Sequence, residues 1–443
     1  MMTIADIKQG YREGRFTPRQ LIDRIIENSK KYSEWNIWIT PPDKMDIDRY
    51  LKELGNMDFD RKPLWGIPFA VKDNIDVDGV KTTAGCPAYG YVPKRSYGAV
   101  ERLTEAGAIP VGKTNLDQIA TGLVGTRSPY GEAHNSLRPE LISGGSSSGS
   151  AVSVALGLAC FALGTDTAGS GRVPAALNHL IGLKPSCGSW PLRGVVPACA
   201  SLDCVTVLAN SAEDAEAVNQ IVAGYDPEDR WSKYFSEQEG IPAKDMKVYL
   251  PEEEPEFYGP FQSQYKAAWR RTISRIQEKG VHTETADCSF YQKAALLLYG
   301  GPCVAERWSD LGKFVTEHPD EIFPVTEKVL ETGHRDDYTA SYLYSTLHQL
   351  AEYKRMSDNL LKDGVLIFPT CAGTYSRDEV RRNPIDTNSD MGKYTNHCNL
   401  LDMCAIAIPG EDADEKLPFG ITIFAPAGRD REILSFAKYL LKK

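Results

Sequence analysis

Four serines in two glycine-rich loops are the residues of this sequence best suited to covalent chemistry on a carbonyl group. Ser146, Ser147 and Ser148 stand in the segment GGSSSG, and Ser170 stands in TAGSG. A serine hydroxyl becomes a nucleophile only when a base removes its proton and N–H donors stabilise the oxyanion. The tight glycine turn offers such donors in the amides of Thr167, Ala168, Gly169 and Ser170. Serine clusters also serve as helix caps and loop residues, and composition alone leaves that interpretation open.

A lysine at the end of an apolar run is the best candidate for the base. Lys72 directly follows the segment 64–71, LWGIPFAV, which we interpret as a buried strand. A lysine beside such a strand can lose its charge to desolvation and accept a proton near neutral pH. The alternative for Lys72 is a solvated strand end. The seven histidines lie in no motif typical of a serine, histidine and aspartate triad.

Residues 107–114, GAIPVGKT, match the phosphate-loop pattern GxxxxGK[ST] letter for letter. That motif binds phosphate when a strand leads into the glycine loop and a helix follows it. Here the predicted order is inverted, because a helix from Gly98 ends at Gly107 and a short strand from Ala108 to Val111 follows. We therefore interpret the match as a coincidence and predict no bound nucleotide.

The elements that hold the two serine loops are predicted from apolar periodicity. The segment 151–163 carries no charge, which predicts one buried helix that begins in the serine cluster. Residues 115–123 are also predicted to be helical, and Pro174 is predicted to open a short helix. Strand and helix patterns alternate along the whole chain, which favours an α/β fold with a mixed sheet.

Composition limits the classes of function. The chain has 443 residues and a net charge of −10, which argues against a nucleic-acid partner because such binding depends on Lys and Arg neutralising phosphates. Its ten cysteines form neither a CxxC pair nor a metal-binding spacing, so we predict free thiols in a reducing compartment and no metal. We find no signal peptide and no apolar run long enough for a membrane, and we expect a cytoplasmic protein.

Three linked segments resemble the amidase signature family. They are GIPFAVKDN, which contains Lys72, the GGSSSG loop, and GTDTAGSGRVPAA, which contains Ser170. The resemblance implies an α/β fold whose central mixed sheet is covered by helices on both faces. It also implies a triad of Ser170 as nucleophile, Ser146 as a bridging cis-serine and Lys72 as base, with the amides of residues 167–170 holding the oxyanion. The separation from Ser170 favours Ser146 over its two neighbours, and no cofactor is implied.

The same resemblance implies how the chain is organised. It predicts a single amidase domain over residues 1–443, with a catalytic core at about 64–214 and a helical region that forms the substrate pocket at about 290–360. It also implies a homodimer.

Within the family, three further segments are most similar to the allophanate hydrolases. These are TNLDQIATGLVGTRSPYG, RGVVPACASLDCV and LLYGGPCVAERW. The resemblance implies a small anionic amide substrate, allophanate (urea-1-carboxylate), which is cleaved through an acyl-enzyme with release of ammonia. It assigns substrate binding to Tyr299, Arg307, Gly122 and Gly125. A planar arginine fork suits a carboxylate, although without the resemblance Arg307 would be interpreted as a surface ion pair.

Two other activities remain open at the level of sequence. The same triad serves the glutaminase subunit of a tRNA-dependent amidotransferase, and another small-amide amidase is the other alternative. Allophanate hydrolases often carry a further C-terminal domain or are fused to a biotin-dependent urea carboxylase, and neither is present in this sequence. Two alternatives stay open, that the amidase acts alone or that the chain is a fragment, and the resemblance implies a functional link to a urea carboxylase. The segment Gly300–Cys303 departs from related sequences, which carry bulkier residues there.

Overall fold

The computed structural model describes residues 2–236 and 240–442, and one sheet of eleven strands lies at its centre. The strands are β1 (Trp38–Thr40), β2 (Pro68–Lys72), β3 (Ile109–Thr114), β4 (Phe161–Asp166), β5 (Ile181–Lys184), β6 (Cys204–Ala209), β7 (Lys247–Pro251), β8 (Thr283–Ala286), β9 (Gly364–Pro369), β10 (Met403–Pro409) and β11 (Gly420–Pro426). Their order across the sheet is β1-β3-β2-β4-β6-β5-β10-β11-β9-β7-β8. The sheet is mixed, because β2 lies parallel to β3 and β4 while β4 lies antiparallel to β6.

Helices surround this sheet. They are α1 (Ile4–Arg12), α2 (Pro18–Lys31), α3 (Ile47–Leu54), α4 (Gly98–Glu105), α5 (Ser148–Ala155), α6 (Arg172–Leu177), α7 (Ala212–Val222), α8 (Gln262–Glu278), α9 (Ser289–Gly300), α10 (Ala305–Glu317), α11 (Pro324–Glu331), α12 (Ala340–Leu360), α13 (Arg377–Arg382), α14 (Asp386–Gly392), α15 (His397–Leu400) and α16 (Asp430–Leu441). Every residue of β2 to β6 and of β9 is buried, so neither face of the central sheet meets water. Strands buried on both faces are typical of an α/β fold, and the predicted fold class is confirmed.

The carboxyl ends of two parallel strands, the third and fourth across the sheet, lie side by side. Strand β2 ends at Lys72 and its neighbour β4 ends at Asp166, just before the loop of Ser170. The register pairs Phe69 with Phe161, and their rings stack with centroids 5.3 Å apart. Loops at the carboxyl ends of adjacent parallel strands meet at one edge of a sheet, which brings the base candidate close to the second serine loop.

The prediction of one helix over residues 151–163 was wrong. Helix α5 ends at Ala155, Gly157 adopts a φ of +69°, and strand β4 begins at Phe161. A glycine in the left-handed region just after a helix is a common stop, and it was present in the sequence. The second half of the apolar run is a strand because β2 and β6 hydrogen-bond to it on either side.

Two smaller predictions also need correction. Residues 115–123 do not form a helix but a loop with a single 3-10 turn, because Ile119 and Ala120 have φ values of 52° and 49°. Pro174 does not open a helix, since α6 already begins at Arg172. The sequence also failed to predict the short strands β1 and β8, which form the two edges of the sheet.

Candidate active site

Lys72 is completely buried at the end of β2. Its Nζ donates hydrogen bonds to Ser146 Oγ at 2.8 Å and to Thr165 Oγ1 at 2.7 Å. Thr165 lies on the neighbouring strand β4, so the sheet itself fixes one of the two contacts. The amine is therefore held by two hydroxyl groups, one of which belongs to the serine cluster.

The protonation of Lys72 follows from this environment. Burial lowers the pKa of Lys72 to about 7, although the carboxylates of Asp117, Asp203 and Asp166 act in the opposite direction. A salt bridge would keep the amine charged, but within the described part of the chain no carboxylate lies close enough to Lys72 to form one. A substantial fraction of the side chain is therefore a neutral amine at neutral pH, and a neutral amine accepts protons.

The three clustered serines make different contacts. Ser146 follows a cis peptide bond from Gly145 and contacts Lys72. Ser147 Oγ donates to the carbonyl of Thr165 at 3.2 Å, and Ser148 Oγ donates to a backbone carbonyl at 3.4 Å. The structure therefore brings Ser146, and neither of its two neighbours, to the lysine amine.

The loop of Ser170 is braced by a buried ion pair. Asp166 accepts hydrogen bonds from the Arg172 guanidinium at 2.9 Å on each carboxylate oxygen, and both side chains are fully buried. Burial raises the pKa of Asp166, but the Arg172 charge and its hydrogen bonds more than offset this, so the pKa lies below its usual value. The pair holds the loop between β4 and α6 in one conformation.

Two backbone contacts join the Ser170 loop to its surroundings. The Ser147 amide donates to the carbonyl of Ser170 at 3.2 Å, which ties the two serine loops together. Ser170 Oγ donates to the carbonyl of Gly122 at 3.4 Å. Ser170 is only 3% exposed, so its hydroxyl lies in a pocket of fixed backbone groups.

The four amides predicted around the oxyanion are not equivalent. The Gly169 amide donates to Asp166 at 2.7 Å, so its hydrogen is already used within the loop. For the amides of Thr167, Ala168 and Ser170, no acceptor lies among the residues that the structure describes. These three remain available as donors to a bound group.

Two of the residues predicted to bind substrate, Arg307 and Tyr299, contact each other beside Thr121. Arg307 on α10 is 1% exposed and donates from Nη2 to the Tyr299 hydroxyl at 3.2 Å. Its Nη1 donates to the Thr121 hydroxyl at 3.4 Å, which places the guanidinium beside the Gly122 loop. The amide of Gly125 is held instead by the Asp117 carboxylate at 3.0 Å. Arg307 is therefore a buried group and not a surface ion pair.

A cavity of about 880 Å³ opens next to this cluster. Its wall includes Thr121, Arg127, Tyr299 and Asn396. Thr121 and Tyr299 both contact Arg307, so the cavity wall includes two neighbours of that guanidinium.

A family model for amidases matches residues 19–434 of this chain. The chain belongs to the amidase family. It is 38% identical to a urea amidolyase of Saccharomyces cerevisiae over 427 residues, which are 94% of this chain and 23% of the yeast protein. A glutamyl-tRNA(Gln) amidotransferase subunit from Maridesulfovibrio salexigens is 30% identical over 434 residues, which are 89% of this chain and 88% of that protein.

Solved structures give the same family. A Kluyveromyces lactis allophanate hydrolase superimposes on this amidase with a TM-score of 0.90 and 36% identity, over 99% of this chain and 72% of that one. The urea amidolyase of K. lactis also superimposes with a TM-score of 0.90, at 37% identity, over 99% of this chain and 26% of that one. The amidase therefore spans about a quarter of the length of the urea amidolyases that it matches.

The phosphate-loop match has a structural explanation in this amidase. Lys113 lies inside β3 and is completely buried, with its Nζ 3.2 Å from Asp73 Oδ1 and 3.0 Å from Thr82 Oγ1. The segment is a strand and not a loop before a helix, so its amides are not arranged around a phosphate.

No helix within 2–236 and 240–442 has both the length and the apolar character needed to cross a bilayer. Over the same ranges, no group of three or more His, Cys, Asp and Glu side chains is arranged to hold a metal ion.

The sequence did not identify four of the residues that shape this site. Thr165 contacts the lysine amine, Asp117 holds the amides of the Gly122 loop, and Thr121 and Arg127 lie at the cavity. All four lie within segments that carry the resemblance, Thr165 in GTDTAGSGRVPAA and the other three in TNLDQIATGLVGTRSPYG. The contact of Thr121 with Arg307 and that of Arg127 with Pro384 join residues far apart in the chain, which the segment alone did not reveal.

Proposed function

We propose that this amidase hydrolyses the terminal amide of allophanate through a triad of Ser170, Ser146 and Lys72. The observation that carries the proposal is the 2.8 Å contact between the buried Lys72 amine and Ser146 Oγ. With a pKa lowered to about 7, this lysine is a base of suitable strength for a serine hydroxyl relay. The similarity to urea amidolyase and allophanate hydrolase over nearly the whole chain supports the choice of substrate.

The proposed reaction begins with acylation. Ser170 Oγ attacks the amide carbonyl carbon, its proton passes to Ser146, and the Ser146 proton passes to neutral Lys72. The carbonyl oxygen becomes an oxyanion, which accepts hydrogen bonds from the free amides of the Ser170 loop. The bond from carbon to nitrogen then breaks as the relay returns the proton to the leaving nitrogen, and ammonia departs.

Deacylation uses the same groups in reverse order. A water molecule gives its proton through Ser146 to Lys72 while its oxygen attacks the acyl carbon. The ester bond to Ser170 breaks, and the relay restores the serine proton. The carbon product is N-carboxycarbamate, and no step needs a metal or cofactor.

Charge selects the substrate in this proposal. Allophanate is a small anion with several polar atoms and little apolar surface, so directed hydrogen bonds must bind it. Arg307 and Tyr299 supply donors beside the Gly122 loop, whose carbonyl contacts Ser170. The substrate carboxylate would then lie on the arginine side of Gly122 and its terminal amide on the serine side.

Partners of the reaction are also part of the proposal. The chain matches about a quarter of urea amidolyases, and we infer that a urea carboxylase supplies its substrate. The homodimer and the single-domain organisation expected from the sequence stay predictions.

An assay of ammonia release tests the function directly. The purified chain is incubated with allophanate and, separately, with glutamine, since the related amidotransferase subunits favour glutamine as the alternative. We expect ammonia from allophanate without any partner protein. Ammonia only from glutamine, and only with a partner protein, would contradict the proposal.

Ser170→Ala is the matching variant. We expect a folded protein whose kcat falls by about 10⁴-fold or more, because the nucleophile is lost. Ser148→Ala is the control, since the Ser148 hydroxyl contacts only a backbone carbonyl in the same cluster. Its kcat should stay within about threefold of the parent. Turnover retained by Ser170→Ala would show that another group is the nucleophile.

A further inference from the structure

A second buried arginine, Arg127, stands five residues after Gly122 in the segment that Arg307 contacts. It is 2% exposed, and its Nη1 donates to the carbonyl of Thr121 at 3.1 Å while its Nη2 donates to the carbonyl of Pro384 at 2.7 Å. Its Nε is buried and has no hydrogen-bond acceptor among the described residues. One of its donors is therefore unsatisfied by the protein.

The two arginines converge on one residue. Arg127 holds the carbonyl of Thr121, and Arg307 approaches the hydroxyl of the same threonine at 3.4 Å. The Nε of Arg307 is also buried without an acceptor in the described part of the chain. Thr121 directly precedes Gly122, whose carbonyl contacts Ser170 Oγ. Both buried cations thus contact the residue that precedes Gly122.

The nearby carboxylate of Asp117 does not bind either guanidinium. Its oxygens accept the backbone amides of Val124, Gly125 and Arg127 at 3.2, 3.0 and 2.9 Å. A buried cation without a paired anion is costly, and a ligand carboxylate would reduce that cost. Arg127 also lines the cavity of about 880 Å³ together with Thr121 and Tyr299.

We propose that Arg127 is a second substrate-selecting arginine, which makes the site prefer amides that carry a carboxylate over neutral amides of the same shape. The substrate class is a small planar amide with one carboxylate two bonds from the scissile carbonyl. This inference rests on the proposed function, because it deepens the role of the same site. Arg127 would then contribute its positive charge to substrate binding, in addition to its two hydrogen bonds to backbone carbonyls.

Binding to a variant that cannot turn over tests the inference apart from catalysis. In the Ser170→Ala background, calorimetric titrations compare malonamate, which carries a carboxylate, with malonamide, its neutral analogue. Adding Arg127→Met should weaken malonamate binding about tenfold or more, and malonamide binding by less than about twofold. Adding Arg127→Lys, which keeps the charge, should restore most of the malonamate affinity.

Lys328→Met is the matched control, since Lys328 lines the same cavity but is exposed. Water screens its charge, so malonamate affinity should change by less than about twofold. In the active enzyme, Arg127→Met should raise the KM for allophanate about tenfold with a much smaller change in kcat.

Several outcomes would overturn the inference. They are equal weakening of malonamate and malonamide, equal effects of Arg127→Met and Lys328→Met, or no binding of malonamate to Ser170→Ala. Failure of the proposed function gives a different result. In that case malonamate binding would still depend on Arg127, but the parent enzyme would release no ammonia from allophanate. Thermal unfolding of each variant separates a loss of fold from a loss of charge.

Discussion

Two lysines stand near the carboxyl ends of adjacent strands, and they have opposite surroundings. Lys72 ends β2, and Lys113 lies one register position away on β3, opposite Val71. Both are completely buried. Lys113 lies 3.2 Å from Asp73 Oδ1, whereas among the described residues Lys72 donates hydrogen bonds only to hydroxyl groups.

In our proposal, this difference separates a structural cation, Lys113, from a base, Lys72. Burial lowers the pKa of both amines, and in Lys113 the direct contact with Asp73 opposes the change. A carboxylate in contact stabilises the ammonium form, while carboxylates farther away leave Lys72 with a pKa of about 7. The same residue type thus serves folding on one strand and, in our proposal, proton transfer on the next.

Lys72→Met should have the largest effect on activity. We expect kcat to fall by about 10⁴-fold, because the relay through Ser146 loses its final acceptor. The unfolding temperature should stay at or above that of the parent, since the change removes a buried amine that has no salt bridge. Steady-state kinetics and thermal unfolding measure the two effects. A large loss of stability would show that Lys72, like Lys113, serves mainly to stabilise the fold.

Lys113→Met should give the opposite pattern. The change leaves the Asp73 carboxylate buried without its cation, which costs about 3–5 kcal/mol of unfolding free energy. The kcat per folded molecule should remain within about threefold of the parent. Urea denaturation and active-site titration measure stability and activity separately. The double variant with Asp73→Asn should recover part of the stability, and a specific loss of kcat without unfolding would contradict the comparison.

The pH dependence of kcat/KM should follow the protonation of Lys72 and not that of Lys113. The amine must be neutral to accept a proton, so kcat/KM should be constant above a pKa of about 7 and fall about tenfold per pH unit below it. Initial rates on either side of neutral pH, with stability checked at each point, measure this limb. A profile without a break near neutral pH would mean that Lys72 is charged throughout or is not the base.

The sequence predicted the parts of the site that short motifs encode. Lys72, Ser146 and Ser170 lie in three short segments, each with a distinctive sequence. In the structure, the Lys72 amine contacts the Ser146 hydroxyl. Their chemical roles stay predictions. Arg307 and Tyr299 were expected near the Gly122 loop, and they lie there.

Other features could not be predicted from local patterns. Arg127 reaches Pro384 across 257 positions of the chain, so no spacing rule could link the two. The loop at Ile119 bends because two residues adopt left-handed backbone angles, although their types favour a helix. An apolar run without polar residues does not distinguish a helix from a strand. Gly157 could have indicated where α5 ends, but the strand that follows it depends on pairing with β2 and β6.

The strand order has a consequence for synthesis of the chain. Strands β1 to β6 occupy one contiguous half of the sheet and β7 to β11 the other, and three residue pairs between β5 and β10 join them. A ribosome that has released Ala209 has therefore made every strand of the half that carries Lys72 and Ser170, while Arg307 is still untranslated. Until β10 arrives, β5 is an open edge able to pair with another nascent chain. Pairing of β10 with β5 thus removes an edge at which the nascent chain could aggregate during translation.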